Sequence, residues 1–353
     1  MILIRKDFVM FLTAVEPLPL RERYQRHRAL NPKQYLRDAA TALGVSELEL
    51  LLASAPGETS LLRTDDLAGL LSSLAPLGAI KTMTRNDSVV LERIGEVAAP
   101  IFFGAVGQVL GDIDLRIFSA HWCHAVAVHP ASGRVSLQWF DAAGVAVHKG
   151  HLDASPVFDA LVQSWRSEAT EVRVVPVTTE EIRRTPPADV AAFRSEWDAL
   201  TDTHEFHGLL RRHGVSRVAA LEAAAPPRAR RVAVCSLGQV LEAARDRGLS
   251  IMTFVGNRGV IQIHSGVPQR VARTPGWLNI LDPDVNLHVR EADIAEAWVV
   301  RKPASGGVIA SLECFDRHGR DVLLVFGKRH DNAPASVTEP FASLLETLPS
   351  VPA

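Results

Sequence analysis

"PASGRVSLQWFDAAG" runs from Pro130 to Gly144, and "PASGGVIASLECFDRHG" runs from Pro303 to Gly319. The second stretch repeats the first. Upstream, "DLRIFSAHWCHAVAVHP" from Asp114 parallels "NLHVREADIAEAWVVRKP" from Asn286. Farther upstream, "LGVSELELLLA" from Leu43 parallels "HGVSRVAALEA" from His213. The three matches keep one order, with offsets near 170 to 175 residues, roughly half of the 353-residue chain. One shared tetrapeptide arises by chance; three ordered matches do not. The chain reads as a tandem duplication of one unit.

Each unit opens with helical sequence and continues in strands. "NPKQYLRDAATALG" and "SELELLLAS" are the helical part of the first, "FRSEWDALTDTHEFHGLLRRHG" and "SRVAALEAAA" that of the second. Gly44 and Gly214 are expected to end a helix, and Ser46 and Ser216 to cap the next. "IMTFVGNRGVIQIHSG" reads as strand, Gly-Asn turn, strand, and "AWVVRKPASGGVIASLECFDRHGRDVLLVFG" as a meander. Turns every eight to twelve residues favour antiparallel pairing. The expected fold is therefore α+β, a duplicated unit of a large antiparallel β-sheet plus helices. Residues 1–20 are expected to be a loose N-terminal tail, 21–180 an N-terminal structural repeat and 181–353 a C-terminal one. The joint is the polar stretch from Ser167 to Pro187.

Composition narrows the function. A hydrophobic share of 47% and a charged share of 22% are those of an ordinary globular protein, and the net charge of −2 argues against a general nucleic-acid or membrane-surface binder. Three widely spaced cysteines form no CxxC pair, so neither a zinc knuckle nor a disulfide framework is indicated, and a reducing compartment is expected. The opening "MILIRKDFVMFLTAV" is broken by Lys6 and Asp7, a weak mimic of a signal peptide, and no apolar run long enough to span a membrane follows.

The familiar enzyme templates are missing. The sequence holds no GxGxxG after a strand, no P-loop, no GxSxG elbow and no HExxH. Asp141 and Asp316 resemble an acid pair, but they occupy equivalent turn positions in the two copies, which favours a structural role. The histidines remain. His121, His124 and His129 lie on what reads as an alternating strand, where a surface hydrogen bond is the ordinary role. His204 and His207 lie in "TDTHEFHGLL", from Thr201 to Leu210, where Thr201 or Asp202 is expected to cap a turn that puts both imidazoles on one face. Two readings stand. The pair is a solvated surface turn, or one imidazole projects into an apolar cleft as an axial ligand for haem iron.

Several blocks carry a family resemblance. "IMTFVGNRGVIQIHSG", "WLNILDPDVNLHVRE", "AWVVRKP" and "FDRHGRDVLLVFGKR" resemble the second half of the hemin-degrading factor family, the cytoplasmic haem-trafficking and haem-degrading proteins of bacterial haem uptake. "DLRIF", "LQWFDAAGVAVHKGHL" and "DAATALGVSELELLL" resemble its first half, so the likeness covers about residues 20 to 350. The resemblance implies a haem cleft on the C-terminal side, between helices and sheet, with haem b (iron protoporphyrin IX) as the bound group. It implies His204 as the iron's axial ligand and His207 as an alternate during transfer. It also implies Lys302 and Arg329 as propionate partners, and Arg116 as a distal residue that could equally serve a local ion pair. Phe326 stands where some members of the family place an aromatic hydroxyl, which removes one hydrogen bond worth about 1 kcal/mol. The implied role is a cytoplasmic carrier that hands haem on, with a haem oxygenase or a haem-import ATPase as partner. The alternative is an enzyme that opens the porphyrin ring with external reductant.

Overall fold

The computed structural model describes residues 18–131, 133–176, 181–329 and 334–351. Of the segment read as a tail, residues 1–17 lie outside these. Two compact units divide at Pro56 and Gly57. The first holds α1 (Leu20–Leu30), α2 (Leu36–Leu43) and α3 (Glu47–Ser54). Its buried centre is Ala39, Ala40 and Leu50, with Leu20, Tyr24 and Leu43 against them. Gly44, at φ +69°, ends α2 in the left-handed conformation that glycine adopts at least cost. Ser46 then starts α3 with a complete capping box: its Oγ accepts from Glu49 N at 3.1 Å and Glu49 Oε2 accepts from Ser46 N at 2.9 Å.

The second unit begins with β1 (Thr59–Leu62), α4 (Leu67–Ser72), β2 (Ala79–Arg85), β3 (Val89–Glu96), β4 (Ile101–Phe103), β5 (Val106–Val109) and β6 (Asp114–Phe118). It continues through β7 (His124–Val128), β8 (Arg134–Phe140), β9 (Ala146–Asp153) and α5 (Pro156–Trp165). After the joint come α6 (Val190–Asp198), α7 (Glu205–His213), α8 (Arg217–Ala224), β10 (Ala229–Val232) and α9 (Ser236–Asp246). Then follow β11 (Ile251–Gly256), β12 (Val260–Gly266), β13 (Val271–Thr274), β14 (Trp277–Asp282) and β15 (Val285–Val289). The last elements are β16 (Glu296–Ala304), β17 (Gly307–Phe315), β18 (Asp321–Gly327) and α10 (Glu339–Glu346). The α+β class and the duplication expected from the sequence are both present.

Among the described residues the strands form two nine-stranded antiparallel sheets, and each borrows three strands from the other half of the chain. Sheet A runs β1-β7-β8-β9-β2-β3-β15-β14-β13, and sheet B runs β10-β16-β17-β18-β11-β12-β6-β5-β4. The exchange follows from the pairing of β3 with β15 and of β12 with β6. Two apolar cores result, each drawing on both sheets. Val89 and Leu91 of β3 join Leu312, Leu323 and Val325 of sheet B around α9 and α10. Leu115 and Ile117 of β6 join Leu137 and Trp139 of sheet A around α4 and α5.

Polar side chains lock the two halves reciprocally. Asn86 Nδ2 donates to the carbonyls of Gly256 (3.2 Å) and Val322 (2.9 Å), while Asn257 Nδ2 donates to those of Arg85 (3.0 Å) and Val147 (2.8 Å). Each asparagine also closes its own hairpin turn through Oδ1, so "VGNRG" is a turn, as its sequence indicates. Asp141 and Asp316 likewise hold equivalent turns, accepting from Ala143 N and Val145 N, and from His318 N and Arg320 N. A register shift precedes Phe140 and Phe315 alike. The strand expected from His121 starts only at His124; His121 itself ends a 3₁₀ turn.

Candidate functional site

In an antiparallel pair, residues directly opposite one another share a sheet face. Following register partners across sheet B therefore defines one face. Val300, Ser311, Phe326 and Met252 form one row, and Trp298, Glu313, Leu324, Phe254 and Ile263 the next. Ile261 and Arg116 extend the face toward β6. At the β16 end α6, α7 and α8 cover it, with Phe193, Trp197, Phe206 and Leu221 packed on Trp298 and Val300. The cover then thins. Leu324, Phe326, Met252, Phe254 and Ile261 are only half-buried, while Val325, Leu323, Thr253 and Val255, which alternate with them, are buried. The rings of Phe254 and Phe326 meet edge-on at 5.0 Å. Among the described residues an apolar, half-covered shelf is left beside the helices.

The start of α7 is built by its own acids. Glu205 Oε2 accepts from the backbone N–H groups of Thr201 (2.9 Å) and Asp202 (3.2 Å). Asp202 Oδ1 accepts from His204 N at 2.8 Å and lies 2.7 Å from His204 Nδ1. The His204 backbone N–H and then its ring hold the Asp202 carboxyl below the ordinary aspartate range, and the nearby Arg329 adds to this. His204 sits at the N-cap with its side chain 83% exposed. A carboxylate at Nδ1 favours the tautomer in which Nε2 carries the lone pair, the arrangement that metal-binding histidines use.

His207 lies three residues on, on the same side of the helix. The residue is exposed. Partial withdrawal from water still lowers its pKa to about 4, and the positive charges of Arg217 and Lys302 contribute further. The shift favours the neutral imidazole, the form a metal ligand requires.

Lys302 is placed beneath the helices, only 3% exposed. Its Nζ donates to Glu313 Oε1 at 2.7 Å and lies 4.4 Å from the Phe206 ring centre and 5.9 Å from that of Phe326. Burial brings its pKa down to about 8, opposed by the charge of Glu313. Arg329 follows the end of β18, close enough to Asp202 to stabilise its charge. Arg116 shares the face but stands three strands from β18, about 14 Å at ordinary strand spacing, and pairs with Asp114. The structure thus gathers His204, His207, Lys302 and Arg329 around the first turn of α7 and sets Arg116 farther along the shelf. Arg217 and Glu313 belong to the same cluster and escaped the sequence reading. Their signal was a glutamate inside the apolar strand "SLECF", where the first copy has Gln138. Half-open hollows lie elsewhere. Two of about 520 and 550 Å³ share Arg301, Val308 and Glu346 and are lined by neither histidine.

The model of the haemin-degrading HemS/ChuX domain matches the chain twice, over residues 44–170 and 214–348. The chain belongs to this family. The hemin transport protein HemS of Yersinia enterocolitica is 34% identical over 322 residues, 89% of this chain and 93% of that protein. The crystal structure of apo-PhuS, a heme-binding protein from Pseudomonas aeruginosa, superposes with a TM-score of 0.88 at 36% identity, covering 94% of this chain and 99% of PhuS. ChuS, described as an E. coli heme oxygenase, superposes with a TM-score of 0.80 at 33% identity, covering 92% and 99%. Within the HemS/ChuX family frame, α7 falls between the two matched stretches.

Proposed function

We propose that this chain binds haem as cargo on the open face of sheet B and hands it to an acceptor protein. His204 is the iron ligand in this reading, and His207 is an alternate used in transfer. The single observation that carries it is the hold of Asp202 on His204 Nδ1, which leaves Nε2 of a largely exposed imidazole to act as a lone-pair donor. A flat apolar plate bearing two acids needs an apolar shelf, an imidazole at its edge and a cation near one rim. Leu324, Phe326, Met252 and Phe254 supply the shelf and Arg329 the cation at its rim, whereas Lys302, expected from the sequence to share that role, is buried and bonded to Glu313 beneath it. Two histidines three residues apart let one replace the other without full release. Residues 21–180 and 181–353 are read as the two repeats, the second carrying the ligand helix. Among the described residues no helix is long and apolar enough to cross a membrane. The reading places the carrier in the cytoplasm, with a haem oxygenase or a haem-import ATPase as partner.

Titration of the apoprotein with hemin is expected to give a saturable Soret band. His204→Ala weakens or shifts it, and His204→Ala with His207→Ala removes the remaining imidazole ligation. A double variant with an unchanged spectrum sinks the assignment. The relative described as a heme oxygenase favours a second reading, ring opening on the same face with Arg116 as its polar group. Incubation with a reductase in the presence of catalase separates the two. Biliverdin-like product and free iron support the enzyme, whereas bleaching only without catalase leaves the carrier.

A further inference from the structure

Glu313 has no part in the reading above, yet it is wholly buried beside α7. Its Oε1 accepts from Lys302 Nζ at 2.7 Å and from Ser311 Oγ at 2.9 Å, and its Oε2 accepts from Arg217 Nε at 2.7 Å. Burial alone would raise its pKa, but Arg217 and Lys302 more than reverse this and hold the carboxyl below the ordinary glutamate range. An ionised carboxylate so placed is tolerable only because both oxygens are matched by cations.

Both cations press on one ring. The Arg217 guanidinium carbon lies 5.2 Å and Lys302 Nζ 4.4 Å from the centre of Phe206. Phe206 is 1% exposed and meets Trp197 edge-on at 5.0 Å. It stands between His204 and His207 in sequence. The first turn of α7 therefore rests on a ring gripped by two cations, whose positions a single carboxylate sets.

The first copy of the repeat provides the control. Glu313 opposes Trp298 and Leu324, and Gln138 opposes Val126 and Lys149 at the matching position. The serine contact survives there, with Gln138 Nε2 donating to Ser136 Oγ at 3.0 Å. The matching end of β7 offers His129 and Pro130 rather than a lysine, and the residue after the cap, Arg217 following Ser216, is Glu47 following Ser46. Counting back from Gly44 as His204, Phe206 and His207 stand from Gly214 gives Gln34, Leu36 and Arg37. Carboxylate, cations, ring and histidines occur together in one copy and are all missing from the other.

We propose that Glu313 is a positioning residue of this site. By holding Arg217 and Lys302 against the Phe206 ring it fixes the first turn of α7, and so the direction in which His204 and His207 present their ring nitrogens. The functional consequence rests on the haem reading; the effect on α7 does not.

The test uses the full chain with Glu313→Gln, which installs the residue of the first copy, and Glu313→Asp, which keeps the charge. In the apoproteins, the Phe206 ring and the His204 and His207 imidazole resonances are followed by NMR across pH. Glu313→Gln is expected to shift and broaden the Phe206 and His207 signals while leaving the distant His129 in place, and Glu313→Asp to restore them in part. With hemin bound, low-temperature EPR is expected to show one ligation state in the wild type and two in Glu313→Gln, resolved to one by adding His207→Ala. Hemin release is expected to be about tenfold faster. Unmoved α7 resonances in Glu313→Gln overturn the proposal, as do moved resonances with a wild-type EPR spectrum and release rate. Should Glu313→Gln fail to fold, Lys302→Met with Glu313→Gln removes both charges at similar volume and faces the same outcomes. A wild-type protein that binds no hemin sinks the haem reading instead, and the apoprotein spectra then decide the positioning of α7 alone.

Discussion

The two sheets present equivalent faces with opposite chemistry. In sheet B, β18 and β11 set Leu324 opposite Phe254 and Phe326 opposite Met252. In sheet A, β9 and β2 set Lys149 opposite Met83 and His151 opposite Lys81 at the same places. The next strand out carries Ile263 in one and Glu92 in the other, and the borrowed strand carries Arg116 in one and His288 in the other. Lys81 pairs with Glu92 at 2.7 Å, so sheet A has filled with ion pairs the surface that sheet B leaves apolar. The opposite faces stayed alike, with Leu137 and Trp139 buried in one and Leu312 and Cys314 in the other. One face of each sheet holds the fold together and is constrained in both copies. The other is free to take on a ligand or to lose one.

Exchanging the faces should break the comparison most severely. Met252→Lys with Phe326→His gives sheet B the side chains of sheet A, and hemin affinity is expected to fall by about 100-fold or more, since each lost apolar contact is worth about 1.5–3 kcal/mol. Hemin titration measures it. An unchanged affinity would show that the shelf is not the binding surface.

A second difference lies inside. His148, opposite Trp139, is buried where Leu323 stands opposite Cys314. Burial, and then the neighbouring His151, push its pKa down to about 3, and its Nδ1 lies 2.8 Å from Thr84 Oγ1. The folded value lies below the unfolded one, about 6.5, so the unfolded chain takes the proton first. The stability is whole above about pH 6.5 and is lost as pH falls toward 3, on the order of a few kcal/mol. Urea midpoints at pH 7 and pH 4 are expected to diverge in the wild type and to diverge less in His148→Leu, where His151 and His264, both lowered to about 4, keep part of the difference.

Smaller effects sharpen the contrast. Asp202→Asn keeps the shape beside His204 but weakens its acceptor, and hemin affinity is expected to drop by about 10- to 100-fold with little change in melting temperature. Ser216→Ala removes an N-cap whose Oγ accepts from Ala219 N at 3.3 Å, and is expected to cost about 1 kcal/mol in a denaturant titration. Ser46→Ala should cost at least as much, because the capping box of α3 is complete.

What the sequence made legible was local or repeated. Gly44, Gly214, Ser46, Ser216, the Asn257 turn and the Asp141 and Asp316 turns each follow from the conformational preference of one residue and its near neighbours. The duplication was readable because it recurs. The pairing of β3 with β15 and of β12 with β6 was not, since register between strands far apart in sequence depends on which apolar faces meet. For the same reason Lys302 looked like a rim charge in "VVRKP", while its burial against Glu313 and Phe206 depends on β17 and α7 together. Arg217 sat unremarked behind a serine cap. His204 and His207 stood out by their spacing and by the family resemblance; Asp202 stood out only as a helix cap, and its hold on the His204 ring depends on the folded turn.

The borrowed strands say something about ancestry. Standing alone, the first half would end its large sheet at β3 and the second at β12 with bare edges, and β4, β5 and β6 of the first would pair only with one another. Two identical halves solve that problem by trading those strands, which is how a domain-swapped homodimer is made. Joining two such protomers end to end preserves the trade but abolishes the symmetry. Selection can then act on one site without touching the other, a freedom that a homodimer never has. The divergence of the two faces is what that freedom looks like after it has been used.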